Sequence, residues 1–120
     1  MSTSASTGSC VFCDALVGPD AAPLVVHRAT HCYVILNKYP YSNGHLMVVP
    51  RRHTARLTDL DSAELLELMT LAQAAERALT RAYQPHGFNL GINLGRPAGA
   101  GIADHLHLHV VPRWDGDTSF

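Results

Sequence analysis

His105-Leu106-His107-Leu108-His109-Val110-Val111-Pro112-Arg113-Trp114 is the stretch from which the fold is read. Three histidines alternate with leucines, and in a β-strand residues two apart line one face. The spacing predicts a strand with all three imidazoles on one side, their Cα atoms roughly 6.5–7 Å apart. Leu106, Leu108 and Val110 are then expected in a core behind them. Clustered histidines repel one another when they charge. A rigid row of imidazoles suits proton transfer, metal binding or covalent attack.

Immediately upstream, Gly95-Arg96-Pro97-Ala98-Gly99-Ala100-Gly101 opens into that strand. Glycines allow φ > 0 and turn successive backbone N–H groups toward an anion. Such a loop alone is most often a turn; leading into a histidine row, it reads as a phosphate cradle beside a nucleophile. The Walker pattern Gly-x-x-x-x-Gly-Lys-[Ser/Thr] is absent from the sequence, which argues against a P-loop NTPase.

Working outward, Leu24-Val25-Val26, Cys32-Tyr33-Val34-Ile35-Leu36 and Leu46-Met47-Val48-Val49 are apolar runs of strand length. Pro40-Tyr41-Ser42-Asn43-Gly44 between the last two is turn chemistry, predicting an antiparallel connection. Asp61-Ser62-Ala63-Glu64 has capping-box form and starts a helix running to about Arg81. Its apolar stripe is expected to be Leu65, Leu68, Met69, Ala72, Ala75, Ala78 and Leu79, with Glu64, Glu67, Gln73, Glu76, Arg77 and Arg81 on a polar face. Pro85-His86-Gly87 breaks the chain before a further strand, Phe88–Asn93. Several neighbouring strands and one long helix predict an α+β fold with a mostly antiparallel sheet.

The 120 residues suit one domain with a modest core: a flexible polar tail over 1–8, then a single domain over 9–120. Hydrophobic residues make up 47% and the net charge is −1, so electrostatics favour neither nucleic acid nor membrane as a partner. No apolar run approaches the roughly 18 residues of a membrane span. The first residues carry neither a basic n-region nor an apolar h-region, and three cysteines make a poor disulfide framework, so a cytoplasmic location is expected.

Cys10-Val11-Phe12-Cys13 is a C-x-x-C pair, open to three readings. A redox pair normally opens a helix in a thioredoxin-like βαβ, which these flanks do not show. Half a zinc site needs two more ligands, for which His53 and His105 are candidates. Two buried, passive cysteines are the third reading. Cys32 lies in an apolar strand, where a free cysteine behaves as a small hydrophobe. His27, His31 and His86 flank turns or strand ends and read as solvated, whereas His45 is either a strand-edge residue or support for the histidine row.

His105-Leu106-His107-Leu108-His109-Val110-Val111, with Asn37, Gly44-His45-Leu46, Val48-Val49-Pro50 and Asn93 upstream, resembles the histidine-triad (HIT) nucleotide hydrolases and transferases. The resemblance runs from Cys10 to the end of the chain. Gly87-Phe88-Asn89 through Asp117 is most similar to the bacterial branch containing diadenosine tetraphosphate phosphorylases. The resemblance implies a HIT-like fold and attack by His107 on the α-phosphorus of an adenine-type nucleotide conjugate, through a nucleotidyl-histidine. It implies that His109 contacts the phosphate and assists the leaving group, and that His45 supports the nucleophile. Asn37 matches the residue that holds the ribose; Asn93 and Gly99, Ala100 and Gly101 match the phosphate-binding segment. A structural Zn2+ is implied on Cys10, Cys13, His53 and His105.

Two departures bear on specificity. Many relatives carry Ser or Thr in the loop before the triad, where this chain has Ala100-Gly101-Ile102, so a hydroxyl contact to phosphate is expected to be missing. Relatives of the branch also continue past the Gly-Asp-Thr stretch, and ending at Phe120 is expected to alter substrate preference. A symmetric homodimer is expected, burying apolar surface of the long helix and the Phe88–Asn93 strand and bringing Trp114 toward the partner's pocket. The competing functional classes are a phosphorylase using phosphate as acceptor, a nucleotide-binding sensor without turnover, and a metallohydrolase with His105, His107 and His109 as ligands. The last is disfavoured, because three side chains along one strand barely converge on an ion about 2 Å from each nitrogen.

Overall fold

The structure, a computed structural model, describes residues 10–17, 24–37, 44–98 and 105–117. The tail expected over 1–8, most of the Pro40–Gly44 turn and the loop residues Gly99, Ala100 and Gly101 lie outside the described residues. The elements in chain order are α1 (Val11–Val17), β1 (Val25–Arg28), β2 (Cys32–Leu36), β3 (Leu46–Pro50), α2 (Ser62–Tyr83), β4 (Gly87–Ile92) and β5 (Leu108–Arg113). Single 3-10 turns occur at Leu57–Asp59 and Arg96–Ala98. The strands form one antiparallel sheet in the order β1-β2-β3-β5-β4, the α+β architecture expected. No helix among the described residues is long and apolar enough to cross a membrane.

Period-two alternation divides the strands between two cores. Cys32, Val34, Leu46, Val48, Leu106, Leu108 and Val110 meet Leu68, Leu71, Ala72, Ala75 and Leu79 of α2 on one face. On the other, Tyr33, Ile35, Met47 and Val49 pack with Cys10, Phe12 and Ala15 of the α1 segment. The Tyr33 hydroxyl, fully buried, donates to the Phe12 carbonyl at 2.6 Å and fixes α1 to the sheet.

Helix α2 begins as expected: the Asp61 carboxylate accepts from Glu64 N at 2.8 Å and the Glu64 carboxylate from Asp61 N at 2.9 Å. It ends at Gln84 in the left-handed conformation, φ +51°. The expected apolar stripe needs correction. Leu65, Met69 and Ala78 are exposed, while Leu71 joins the core and Glu64 is buried. The run Leu65-Leu66-Leu68-Met69-Leu71 offers apolar groups around much of the helix, so periodicity alone does not choose the face. Glu64 is buried because Arg52 pairs with it through both Nε and Nη2, at 3.1 and 2.5 Å. That pairing also anchors the loop after β3.

The histidine strand also needs correction. β5 starts at Leu108, where its neighbours run out: Val48 and Ile92 are the last residues paired there. His105 and His107 precede the ladder, and Leu106 N donates instead to the Thr54 carbonyl at 2.7 Å. Leu106 still packs with Leu108 and Val110 in the α2-side core, while Phe12 from the opposite core touches both His105 and His107.

Candidate active site

His107 sits at the centre of the opposite face, 6% exposed, its ring 4.7 Å from Phe12 and 4.7 Å from His109 between centroids. Its Nδ1 lies 2.9 Å from the backbone carbonyl of His105. A carbonyl only accepts, so Nδ1 carries the proton and Nε2 is left as the lone-pair nitrogen. Burial holds the His107 pKa below the usual imidazole value, keeping the ring neutral and nucleophilic.

His109, on β5 opposite Met47 and Gly91, belongs to a second hydrogen-bonded unit. Its Nδ1 is 2.9 Å from His45 Nε2, and His45 Nδ1 is 2.8 Å from the Asn37 amide nitrogen. Burial, then the neighbouring His107 and His45, push His109 down to about 4. Burial, then His107, lowers His45 as well. The backbone prepares this arrangement: Asn37 N donates to the His45 carbonyl at 2.9 Å, closing the β2–β3 connection on the two side chains. Gly44 precedes His45 with φ +83°, and a Cβ there would lie 2.8 Å from Leu79 and Tyr83 of α2. Only glycine meets both conditions. Asn93, half-buried, follows β4 directly.

Next to His107 the four proposed ligands converge. Cys10, Cys13, His53 and His105 present donor atoms all within 4.8 Å of one another. His105 Nδ1 is 3.3 Å from Cys10 Sγ, 3.5 Å from Cys13 Sγ and 3.2 Å from His53 Nδ1; Cys13 Sγ is 3.2 Å from His53 Nδ1. A tetrahedral ion bonded at about 2.3 Å to sulfur and about 2.0–2.1 Å to nitrogen has edges of roughly 3.5 Å for S···N and roughly 3.3 Å for N···N. These four separations fit those edges. His105 Nε2 donates to the Pro50 carbonyl at 2.8 Å, which turns a bare Nδ1 toward the cluster and supplies an outer-shell partner. His53 Nε2 is buried without a hydrogen-bond partner among the described residues. Two imidazole nitrogens facing each other across two thiols form a donor set suited to a cation.

All four sequence-proposed ligands thus come together, as do His107, His109, His45 and Asn37. The C-x-x-C pair does open a helix: Asp14 N donates to the Cys10 carbonyl and Cys13 N to Cys10 Sγ. That helix packs on an antiparallel sheet and not in a βαβ unit, and all three cysteines are free thiols. His27 and His86 are exposed as expected, and Cys32 is buried beneath α2. Glu67, expected on the polar face, turns its carboxylate to accept from His31 N and Cys32 N at 2.6 and 2.7 Å. Phe12 is a site residue that residue type and spacing do not flag. Its signal was its position inside Cys10–Cys13, which obliges it to lie against whatever those cysteines approach.

A family model described as the HIT domain matches residues 20–116. The chain is 52% identical over 101 residues to a Mycobacterium tuberculosis protein named AP-4-A phosphorylase, covering 84% of this chain and 52% of that one. The chain therefore spans about half the length of those curated relatives. A HIT-like protein of Mycoplasma genitalium is 30% identical over 115 residues, covering 96% of this chain and 80% of its own length. Among solved structures, a Zn-bound histidine triad family protein from Mycobacterium smegmatis superposes with a TM-score of 0.82 at 34% identity, over 95% of this chain and 82% of that one.

Proposed function

This chain belongs to the histidine-triad (HIT) family, and from that premise we propose that it transfers a nucleotidyl group from an adenine dinucleoside polyphosphate to phosphate or water, through a covalent intermediate on His107. The observation that carries the proposal is the Nδ1–H bond from His107 to the His105 carbonyl, which leaves Nε2 as a buried, neutral nucleophile. The 52%-identical relative named AP-4-A phosphorylase favours phosphate as acceptor and a tetraphosphate bridge in the donor.

The chemistry balances in two displacements. His107 Nε2 forms a P–N bond at the α-phosphorus while the bridging P–O bond breaks, and the leaving nucleoside triphosphate takes that electron pair. The imidazole becomes cationic in this step, and the His105 carbonyl facing its Nδ1–H stabilises the charge. A phosphate oxygen then attacks the same phosphorus, the P–N bond breaks, and a nucleoside diphosphate leaves with His107 restored. Water in place of phosphate gives the monophosphate. Asn37 on the ribose, and Asn93 with the N–H groups of Gly99, Ala100 and Gly101 on the phosphates, complete the proposed site.

Zinc is the proposed occupant of Cys10, Cys13, His53 and His105, supported by the tetrahedral edges and by the Zn-bound Mycobacterium smegmatis relative. With four protein ligands the site is closed, so the ion would supply stability to the His105 segment and no chemistry to the substrate. Two ligand thiolates also suit a reducing cytoplasm. A second copy is proposed to cover the exposed Leu66 and Met69 of α2 and the exposed Leu90 of the edge strand β4.

The test is a panel of diadenosine polyphosphates, ADP, adenosine phosphoramidates and aminoacyl-adenylates, each with and without phosphate. Formation of ADP and ATP from diadenosine tetraphosphate, dependent on phosphate, is expected. Monophosphate alone, whatever the phosphate concentration, would make the chain a hydrolase. Tight AMP binding without turnover of any donor would overturn the catalytic reading in favour of a sensor.

A further inference from the structure

His109 has a hydrogen-bonded chain behind it whose polarity is set at its far end. An amide nitrogen only donates, so His45 Nδ1, 2.8 Å from Asn37 Nδ2, accepts. In a neutral ring the proton then resides on Nε2, which points at His109 Nδ1 at 2.9 Å. His109 Nδ1 must accept in turn, and its proton is placed on Nε2. We infer that Asn37 is a positioning residue that acts through His45 to hold His109 as the Nε2–H tautomer, the form able to hand a proton to the departing phosphate oxygen. The inference rests on the reading above that a P–O bond breaks at the α-phosphorus, and it assigns Asn37 a task beyond the ribose.

The arrangement is complementary to His107, only 4.7 Å away between ring centroids. His107 is the opposite tautomer, with Nδ1–H on the His105 carbonyl and a lone pair at Nε2. Two adjacent neutral imidazoles thus present one lone pair and one N–H, the nucleophile and the acid of a single displacement. The chain works only while both of its rings are neutral, and burial lowers both His45 and His109. Among the described residues, the groups facing His45 are Asn37, His107 and His109. Asn37 is the member of this unit that fixes the direction, because imidazole can run the chain either way and a primary amide nitrogen cannot.

Nitrogen-15 NMR of the histidine rings in the intact protein at neutral pH reads this directly. His45 and His109 are expected as Nε2–H tautomers and His107 as Nδ1–H; His109 found as Nδ1–H would overturn the inference, whatever the protein's activity proves to be. Asn37→Asp supplies the second readout, since a carboxylate can only accept and must draw a proton onto His45 Nδ1. The His45 Nδ1 resonance is expected to change from imine-type to protonated, and an unchanged resonance would remove residue 37 from the chain. At about pH 9, where His45 is neutral again, the relay runs backwards. Single-turnover nucleotidylation of His107 by an adenosine phosphoramidate, whose amine must be protonated to depart, should then fall at least about tenfold, against less than about threefold for a p-nitrophenyl ester of AMP, whose leaving group needs no proton. Equal losses with both donors, or an effect confined to KM, would leave Asn37 with the ribose alone.

Discussion

Replacing Phe12 with alanine tests whether α1 is built into the active site or merely lies over it. The ring is 1% exposed and packs at 5.5 Å from His105 and 4.7 Å from His107 between centroids. A buried phenylalanine removes on the order of 200 Å² from water, which at about 25 cal/mol per Å² is roughly 5 kcal/mol. Partial collapse around the truncated side chain brings the expected cost to about 3–5 kcal/mol. A domain of this size has about 6–18 kcal/mol of stability, so the variant folds and can be assayed. With a urea dependence of about 1.5 kcal/mol per M, the unfolding midpoint measured with zinc supplied should fall by roughly 2–3 M. Nucleotidylation of His107 should slow as well, because the ring that confines that imidazole is gone. A midpoint shift below about 0.5 M would show that Phe12 is not packed as described, and the link between α1 and the histidines would fail.

Three further outcomes follow from other parts of the molecule. Gly44→Ala combines φ +83° with a Cβ 2.8 Å from Leu79 and Tyr83, and should cost about 2–4 kcal/mol by urea unfolding while displacing His45; an unperturbed variant would contradict the close approach of α2. Chelation of the proposed zinc should lower Tm by roughly 10 °C, restored by zinc, and a metal-free protein of full stability would contradict the cluster. The folded pKa of His109, about 4, lies below its ordinary 6.5, so its neutral form contributes stability fully above about pH 6.5. That contribution is lost as pH falls toward 4, with His45 and His107 acting in the same direction. Urea midpoints measured at pH 7.5 and at pH 5 should differ accordingly, and equal midpoints would place these rings in solvent.

Much of this was legible in the chain, for identifiable reasons. β2 runs over Cys32–Leu36 as expected, since its five apolar residues are bounded by turn chemistry. The capping box at Asp61 and Glu64 is a local pattern that needs no tertiary partner, and it forms. α1 was not legible: at seven residues it is too short to display a helical period, and its stability comes from Phe12 and Ala15 against the sheet. The buried face of α2 is not legible in the sequence because Leu65, Leu66 and Met69 form a second apolar stripe that the sheet does not cover. His105 and His107 fall short of the strand because the ladder ends at Leu108 and His105 turns to the Pro50 carbonyl and the cysteines. The Asn37–His45–His109 chain includes a bond between residues 64 positions apart, and its polarity resides in atoms that a sequence pattern does not resolve.

The central claim is covalent attack by His107, and rapid quenching tests it most directly. Protein mixed with diadenosine tetraphosphate in the absence of phosphate is quenched under alkaline conditions that preserve phosphoramidates, digested and mapped by mass spectrometry. An adenylyl group on His107, absent from His107→Asn and discharged as ADP when phosphate is added before the quench, is the predicted result. An adduct on His109 or His45, or turnover that persists in His107→Asn, would contradict the account.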